Sequence, residues 1–249
     1  MKILVCIGNV PDTTTKVRFN NDKTAFDETG VQWVINPWDE LALTRAIELK
    51  EQSNGKITSV TVVNVGKAST EPTIRKALAI GADEAIRVDL DSTDSYVIAG
   101  QIAQAVKAEN YDIIFCGKES SDYNSSAVGE MLAEFLEIPS ISAVSGLDII
   151  NDEIIVKREI DGGKETIGIS SPVLVVVQKG ICINARIPAM RGIMMARSKA
   201  LKVVQPANID SLVNMSVFEL PEAKTACKVV DAEDTDKLIE MLRNEAKVL

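Results

Sequence analysis

The order of its apolar runs limits what this chain can fold into more than any other feature. Up to residue 137, compact apolar runs of strand length alternate with longer stretches whose apolar residues recur at three- and four-residue spacing. The runs are "KILVCI" (2–7), "ITSVTVVNV" (57–65), "EAIRVDL" (84–90) and "YDIIFCG" (111–117). Between and after them come "WDELALTRAIELKEQ" (38–52), "STEPTIRKALAIGA" (69–82), "DSYVIAGQIAQAVKAE" (94–109) and "SAVGEMLAEFLE" (126–137), which read as amphipathic helices. The second opens on a Ser/Thr cap and a Pro and stops at Gly81. Strands apolar along their whole length need cover on both faces, and a β–α–β–α order makes them parallel. The expected fold class is therefore α/β, with a doubly wound, mostly parallel sheet.

An insertion, "TTKVRFNNDKTAFDETGVQWVI" (14–35), separates the first strand from the first helix. It alternates around Asn/Asp/Gly turn signals and reads as a β-hairpin. After residue 139 four strand-like runs follow: "SAVSGLDII", "EIIVKREIDGG", "KETIGIS" and "PVLVVVQKG". They fit either an antiparallel meander or added strands of the parallel sheet, and "DGG" is a strong hairpin signal. Residues 182–200 are irregular and basic. The stretch 205–249 has little periodicity until a final amphipathic helix, 234–246. Such a segment either wraps onto another chain or packs as a loop-rich subdomain. We divide the chain into an α/β domain, 1–204, and a C-terminal arm, 205–249.

Composition excludes several functions. The chain has no histidine, which removes Ser-His-Asp and Cys-His catalysis and the commonest metal ligand. A net charge of -9 argues against nucleic acid as a partner. The four cysteines, Cys6, Cys116, Cys182 and Cys227, form no CxxC pair; Cys6 and Cys116 lie in apolar runs, where buried free thiols are the default. No metal site or catalytic residue is read. Met1 leads directly into the first strand, with neither a signal peptide nor an apolar stretch of about 18 residues. A cytoplasmic location without membrane insertion is expected.

Open α/β sheets bind ligands outside the carboxyl ends of their strands. Those edges carry "GNVPD" (8–12), "VGKAS" (65–69) and "GKESSDYNSS" (117–126), and "NPWDE" (36–40) opens the first helix there. Gly66 and Gly117 allow close backbone approach to a ligand. Ser120, Ser121, Asn124, Ser125 and Ser126 supply donors for phosphate oxygens, and the start of the following helix adds the positive end of its dipole. Asp122 suits a ribose hydroxyl or a cap on the loop. Helix capping explains one or two of these residues; five donors beside a glycine on the ligand edge indicate a nucleotide. Neither G-x-G-x-x-G nor G-x-x-x-x-G-K-[ST] occurs, so the chain is expected to hold a nucleotide without processing it.

Six strings in order, "VCIGNVPD", "NPWDE", "ALAIGAD", "GKESSD", "REIDGGKET" and "IMMAR", resemble the β subunit of electron transfer flavoproteins, and the resemblance runs through most of the chain. It implies an adenine-nucleotide hydrolase-like fold, an α subunit as partner with the C-terminal arm packed on it, and a redox FAD shared with that subunit. Electrons would arrive from a flavin dehydrogenase of the acyl-CoA dehydrogenase type. It also implies AMP, or a second FAD in an electron-bifurcating complex, on this chain. Carried over by position, the nucleotide residues are Cys6; Asn36, Pro37, Trp38 and Asp39; Val65 with Gly66; and the loop from Gly117 through Lys118, Glu119, Ser120, Ser121, Asp122, Tyr123, Asn124, Ser125, Ser126 and Ala127 to Val128. That loop departs from the family, whose AMP-type members carry Asn-Gln-Thr where "SAV" (126–128) stands. AMP against FAD stays open. The segment 184–197 corresponds to the family's partner-recognition loop, with Met190 as apolar anchor between Arg186 and Arg191; the alternative is a short helix with Met190, Met194 and Met195 on its inner face, the reading preferred for Met194 and Met195. A second reading is a stand-alone adenine-nucleotide-binding module resembling universal stress proteins; a third, a nucleotide-transferring enzyme, lacks its glycine loop.

Overall fold

A computed structural model describes residues 1–224 and 226–249. The chain opens with strand β1 (Lys2–Cys6), followed by two short strands, β2 (Asn9–Pro11) and β3 (Trp33–Ile35), and helix α1 (Pro37–Gln52). Three repeats of the β–α unit follow: β4 (Ser59–Val65) with α2 (Glu71–Ile80), β5 (Glu84–Val88) with α3 (Ser95–Val106), and β6 (Ile113–Gly117) with α4 (Val128–Leu136). Then come β7 (Ser140–Ile150), β8 (Glu153–Ile160), β9 (Gly163–Ile169) and β10 (Val173–Val177), a short helix α5 (Met190–Ala196), β11 (Leu201–Val204), and α6 (Thr235–Glu240), which runs into a π-helical turn over Met241–Glu245.

Nine strands form one sheet in the order β11-β5-β4-β1-β6-β10-β7-β8-β9, parallel except for the β7–β8 and β8–β9 ladders. Alternate side chains of each strand enter different cores. Ile3, Val5, Ile113 and Phe115 pack with α1, α2 and α5, whereas Leu4, Cys6, Ile114 and Cys116 pack with α3 and α4. This is the doubly wound arrangement expected from the runs.

Both expectations for residues 140–177 are realised, in different strands. All five residues of β10 are buried, and the strand lies parallel between β6 and β7. An unbroken Val/Leu run tolerates no solvent face, so it goes to the sheet interior. By contrast, β8 and β9 carry Lys157, Glu159, Lys164 and Glu165 and form the antiparallel ladder, closed by the two-residue Asp161-Gly162 turn with Gly162 at φ +85°. The insertion pairs as a hairpin at its ends, Asn9–Pro11 against Trp33–Ile35. Its first arm thus precedes the range 14–35, and inside that range one bridge, Phe19 to Phe26, is formed.

Strand β11 was not expected, and the short helix over the methionines turns Met190, Met194 and Met195 outward rather than onto an inner face. Helix α5 and strand β11 emerge from the irregular 182–204 region, and β11 adds to the sheet edge beside β5. Residues 205–234 contain no helix or strand among the described residues, and α6 with its π-helical turn occupies the expected final helix.

Candidate functional site at the β1–β6 carboxyl edge

From β1 the chain steps outward to β4 and β5, then crosses through α3 to β6 on the other side of β1. The connections leaving β1 and β6 diverge, and a crevice opens between them. A cavity of about 180 Å³ occupies it. Its apolar lining includes Cys6, Val65, Ile98, Ile102, Cys116 and Val128; its polar lining comes from the loops after β5 and β6 together with Asn9, Asn36, Asp39 and Asn64. Cys6 and Cys116 follow the paired residues Val5 and Phe115 and share one face of the sheet. The hydrogen bond with Cys6, and then burial, push the Cys116 thiol well above its ordinary range, so it is a packing thiol and no thiolate nucleophile.

The opening of α1 holds the site together. Asp39 is buried, and its carboxylate spans the two strand ends: Oδ2 accepts the Gly8 N–H at 2.8 Å and Oδ1 accepts the Gly117 N–H at 2.9 Å. Burial pushes this carboxyl up to about 7, against the pull of its donors at Gly8, Asn36 and Gly117. Asn36 clips the next part of the loop. Its Nδ2 donates to the Glu119 carbonyl at 2.8 Å, and its Oδ1 accepts the Ser121 N–H at 3.1 Å. At the end of β4, buried Asn64 donates to the Ile7 carbonyl and accepts from Thr70, while Thr73 donates to Asn9.

Beyond this frame the loop turns back through Asn124 (φ +51°) and Ser126 (φ +49°). The Ser126 hydroxyl donates to Glu119 at 3.0 Å, and the Ser125 and Ser95 hydroxyls share a bond of 2.9 Å. Ala127 occupies the N-cap of α4 and has no side-chain acceptor for the first turn. The N–H groups of Val128, Gly129 and Glu130 precede the first intrahelical bond, Met131 N–H to the Ala127 carbonyl, and Ala127 and Val128 line the cavity.

Most residues expected from the sequence meet here: Cys6, Asn36, Asp39, Val65, Gly117, Lys118, Glu119, Ser120, Asp122, Tyr123, Ser125, Ser126, Ala127 and Val128. Pro37, Trp38, Gly66, Ser121 and Asn124 lie outside the lining. The two glycines also make room for neighbouring protein. A Cβ on Gly117 would strike the Asp39 carboxylate and Trp38, and one on Gly66 would meet Thr70 Cγ2 at 2.5 Å and Asn64 Oδ1 at 2.8 Å. Gly8, Asn9 and Val10 come from the 8–12 segment expected at this edge; the residues not anticipated are Ile7, Asn64, Ser92, Thr93, Ser95, Ile98 and Ile102. The signal for Ser92, Thr93 and Ser95 was present, since "DSTDS" follows β5 at the same edge.

A second exposed feature lies away from the cavity. Ile183, Ile187, Met190 and Met194 are 96%, 86%, 74% and 71% exposed. Helix α5 is fixed from behind: Gly192 packs so closely on the Ala79 carbonyl that no side chain fits between them. Arg75 donates to the Ala196 and Lys199 carbonyls, and Lys199 Nζ to the Leu78 carbonyl. Arg186 is held by Glu51 at 2.8 Å, while Arg191 and Arg197 take part in no ion pair among the described residues. Among those residues there is also no cluster suited to a metal ion, and no helix is long and apolar enough to cross a membrane.

Residues 23–209 match the electron transfer flavoprotein domain. Over its whole length the chain is similar to the electron transfer flavoprotein subunit beta of Syntrophomonas wolfei, at 35% identity over 253 residues covering 98% of that protein. It is similar to the subunit beta of Bacillus subtilis, at 34% identity with both chains fully covered. The mitochondrial subunit beta of Oryza sativa subsp. japonica is also 34% identical, again with both fully covered.

Proposed function

The chain belongs to the electron transfer flavoprotein family as a β-subunit-type electron carrier, and from that premise we propose that it pairs with an α subunit and holds an adenine nucleotide in the β1–β6 crevice. The observation that carries the nucleotide reading is the pairing of an apolar floor with an uncapped helix start in one cavity. Cys6, Cys116, Ile98 and Val128 would hold a purine. The open N–H groups at the start of α4 would hold the phosphate. The loop hydroxyls contribute less than their number suggests, because Ser125 and Ser126 already have protein partners. Glu119 and Asp122 bring negative charge to the same rim, with Lys118 opposing it. These groups suit AMP or the AMP half of a second FAD.

The redox FAD would lie at the junction with the α subunit, where it supplies the electron-carrying chemistry. This chain's own part is to bind, orient and dock. The arm, residues 205–249, would pack on the α subunit, burying apolar side chains such as Leu212, Val217 and Val229 that are exposed here. The basic, apolar loop around Met190 would receive a flavin dehydrogenase of the acyl-CoA dehydrogenase type, with Arg186 and Arg191 steering the approach. Four free thiols fit a cytoplasmic location. A stand-alone nucleotide module would use neither the β8–β9 hairpin nor this loop. Denaturing the purified heterodimer and identifying the released nucleotides tests the reading: one FAD plus one AMP marks a conventional carrier, two FAD the bifurcating type. FAD alone removes the nucleotide from this chain.

A further inference from the structure

Helix α3 is a wall shared by two parts of the molecule. Ser95, Ile98 and Ile102, at i, i+3 and i+7, face the cavity. An adjacent stripe, Asp94, Gly100 and Gln101, holds the beginning of the C-terminal arm. Gln101 is 2% exposed and bonds Ala207 in both directions, Nε2 donating to its carbonyl and Oε1 accepting its N–H, each at 2.8 Å. A Cβ on Gly100 would lie 2.8 Å from Ile209 Cδ1, so the arm is seated against bare helix backbone.

Asp94 joins the two sides. It caps α3 with Oδ1, which accepts the Tyr96 N–H at 2.9 Å. Its Oδ2 accepts three groups of the arm: the Ser211 hydroxyl at 3.0 Å, the Leu212 N–H at 2.6 Å and the Val213 N–H at 3.0 Å. Against the cost of its burial, the donors at Val213, Tyr96, Leu212 and Ser211 hold its carboxyl below the ordinary range, so it is a carboxylate at neutral pH. The next residue, Ser95, bonds Ser125 in the loop that rims the cavity. Arm, helix start and nucleotide loop are thus joined through two consecutive residues.

We propose that the α3 start couples the cavity to the arm, so that a nucleotide in the cavity and the attachment of residues 207–213 favour each other, with Asp94 as the positioning residue. The proposal rests on reading the cavity as an adenine-nucleotide site. A ligand that settles the 117–126 loop settles Ser125, hence Ser95 and the turn on which Asp94 is mounted. Linkage makes the effect reciprocal: whatever loosens the arm weakens the nucleotide by the same factor. A nucleotide-loaded chain would then present an ordered arm to its partner, and an empty chain a looser one.

Two variants loosen the arm without touching the cavity lining. Asp94→Asn keeps a good helix cap but turns an amide N–H₂ toward three donors. Gln101→Leu removes the two-way bond to Ala207 and leaves Asp94 intact. In the full chain, titrations with AMP and separately with FAD give the affinity, and hydrogen exchange across 205–220 gives the state of the arm, each with and without nucleotide. The expected result is slower exchange at 207–213 on saturating the wild type, and about tenfold weaker nucleotide binding in both variants, within the range usual for coupled sites. A loosened arm with unchanged nucleotide affinity would overturn the coupling alone. Failure of the wild-type chain to bind either nucleotide would overturn the reading of the cavity, and the coupling with it.

Discussion

Asp39 lies 78 residues from Gly117, and its Oδ1 accepts the Gly117 N–H at 2.9 Å. The other oxygen accepts from Gly8, so one helical carboxylate sets the spacing of the two strand ends that frame the cavity. Asp39→Ala would leave both part-buried N–H groups without their acceptor. Each such group costs roughly 1–3 kcal/mol, so unfolding free energy should fall by roughly 2–6 kcal/mol and bound nucleotide should be lost with it. Denaturant titration and nucleotide content check this; full stability with normal nucleotide content would show the clamp to be dispensable.

The same carboxyl gives a pH signature. Burial raises it from the ordinary 3.8 to about 7 in the folded chain. Between those values the folded state holds a proton that the unfolded state has released. The contribution of Asp39 is therefore full below about pH 4 and is lost as pH rises to about 7. The difference in unfolding free energy between wild type and Asp39→Asn isolates this group, and it should shrink from pH 4.5 to pH 7.5. A difference that is flat over that interval would mean a carboxylate ionised throughout.

Met190→Ala tests the exposed loop. The side chain is 74% exposed and packs on little of its own chain, so truncation should leave folding, heterodimer assembly and flavin content unchanged. Anchors of this kind cost on the order of 2 kcal/mol, roughly thirtyfold in affinity. If the loop receives a flavin dehydrogenase as proposed, electron transfer from it should slow accordingly at sub-saturating carrier. Equal rates would assign Met190 to packing, as would loss of the heterodimer.

Gly192→Ala examines the support beneath that loop. Its new methyl would run into the Ala79 carbonyl, and backbone cannot swing aside. Helix α5 must lift from α2, at about 1–3 kcal/mol. The melting temperature should fall, and transfer should slow although Met190 is intact. A variant as stable and as fast as wild type would show that α5 is not held at this point.

The core was legible because a parallel strand is written in one continuous apolar run: "KILVCI" and "YDIIF" could go nowhere else. The site was legible as an edge, since the residues after a strand must emerge there. The reach of each polar side chain was not. "NPWDE" reads as a cap that meets a ligand, yet Asn36 and Asp39 are used on the loop itself, and Trp38 stays out of the cavity. That assignment depends on the distance between β1 and α1, which no local pattern encodes. Strand β11 escaped because four residues, "LKVV", carry too little periodicity and are placed by an edge made elsewhere.

The location of β10 has a consequence for synthesis. This interior strand is made after both of its neighbours. While the ribosome has produced β6 through β9 but not residues 173–177, β6 ends in an open apolar edge and β7 has no neighbour on its inner side. The nascent chain must keep a slot one strand wide between them, and that slot is where a second nascent copy could add a strand of its own. Arrested chains that end before Val173 should be digested readily across β6 to β9, and chains carried past Val177 should resist.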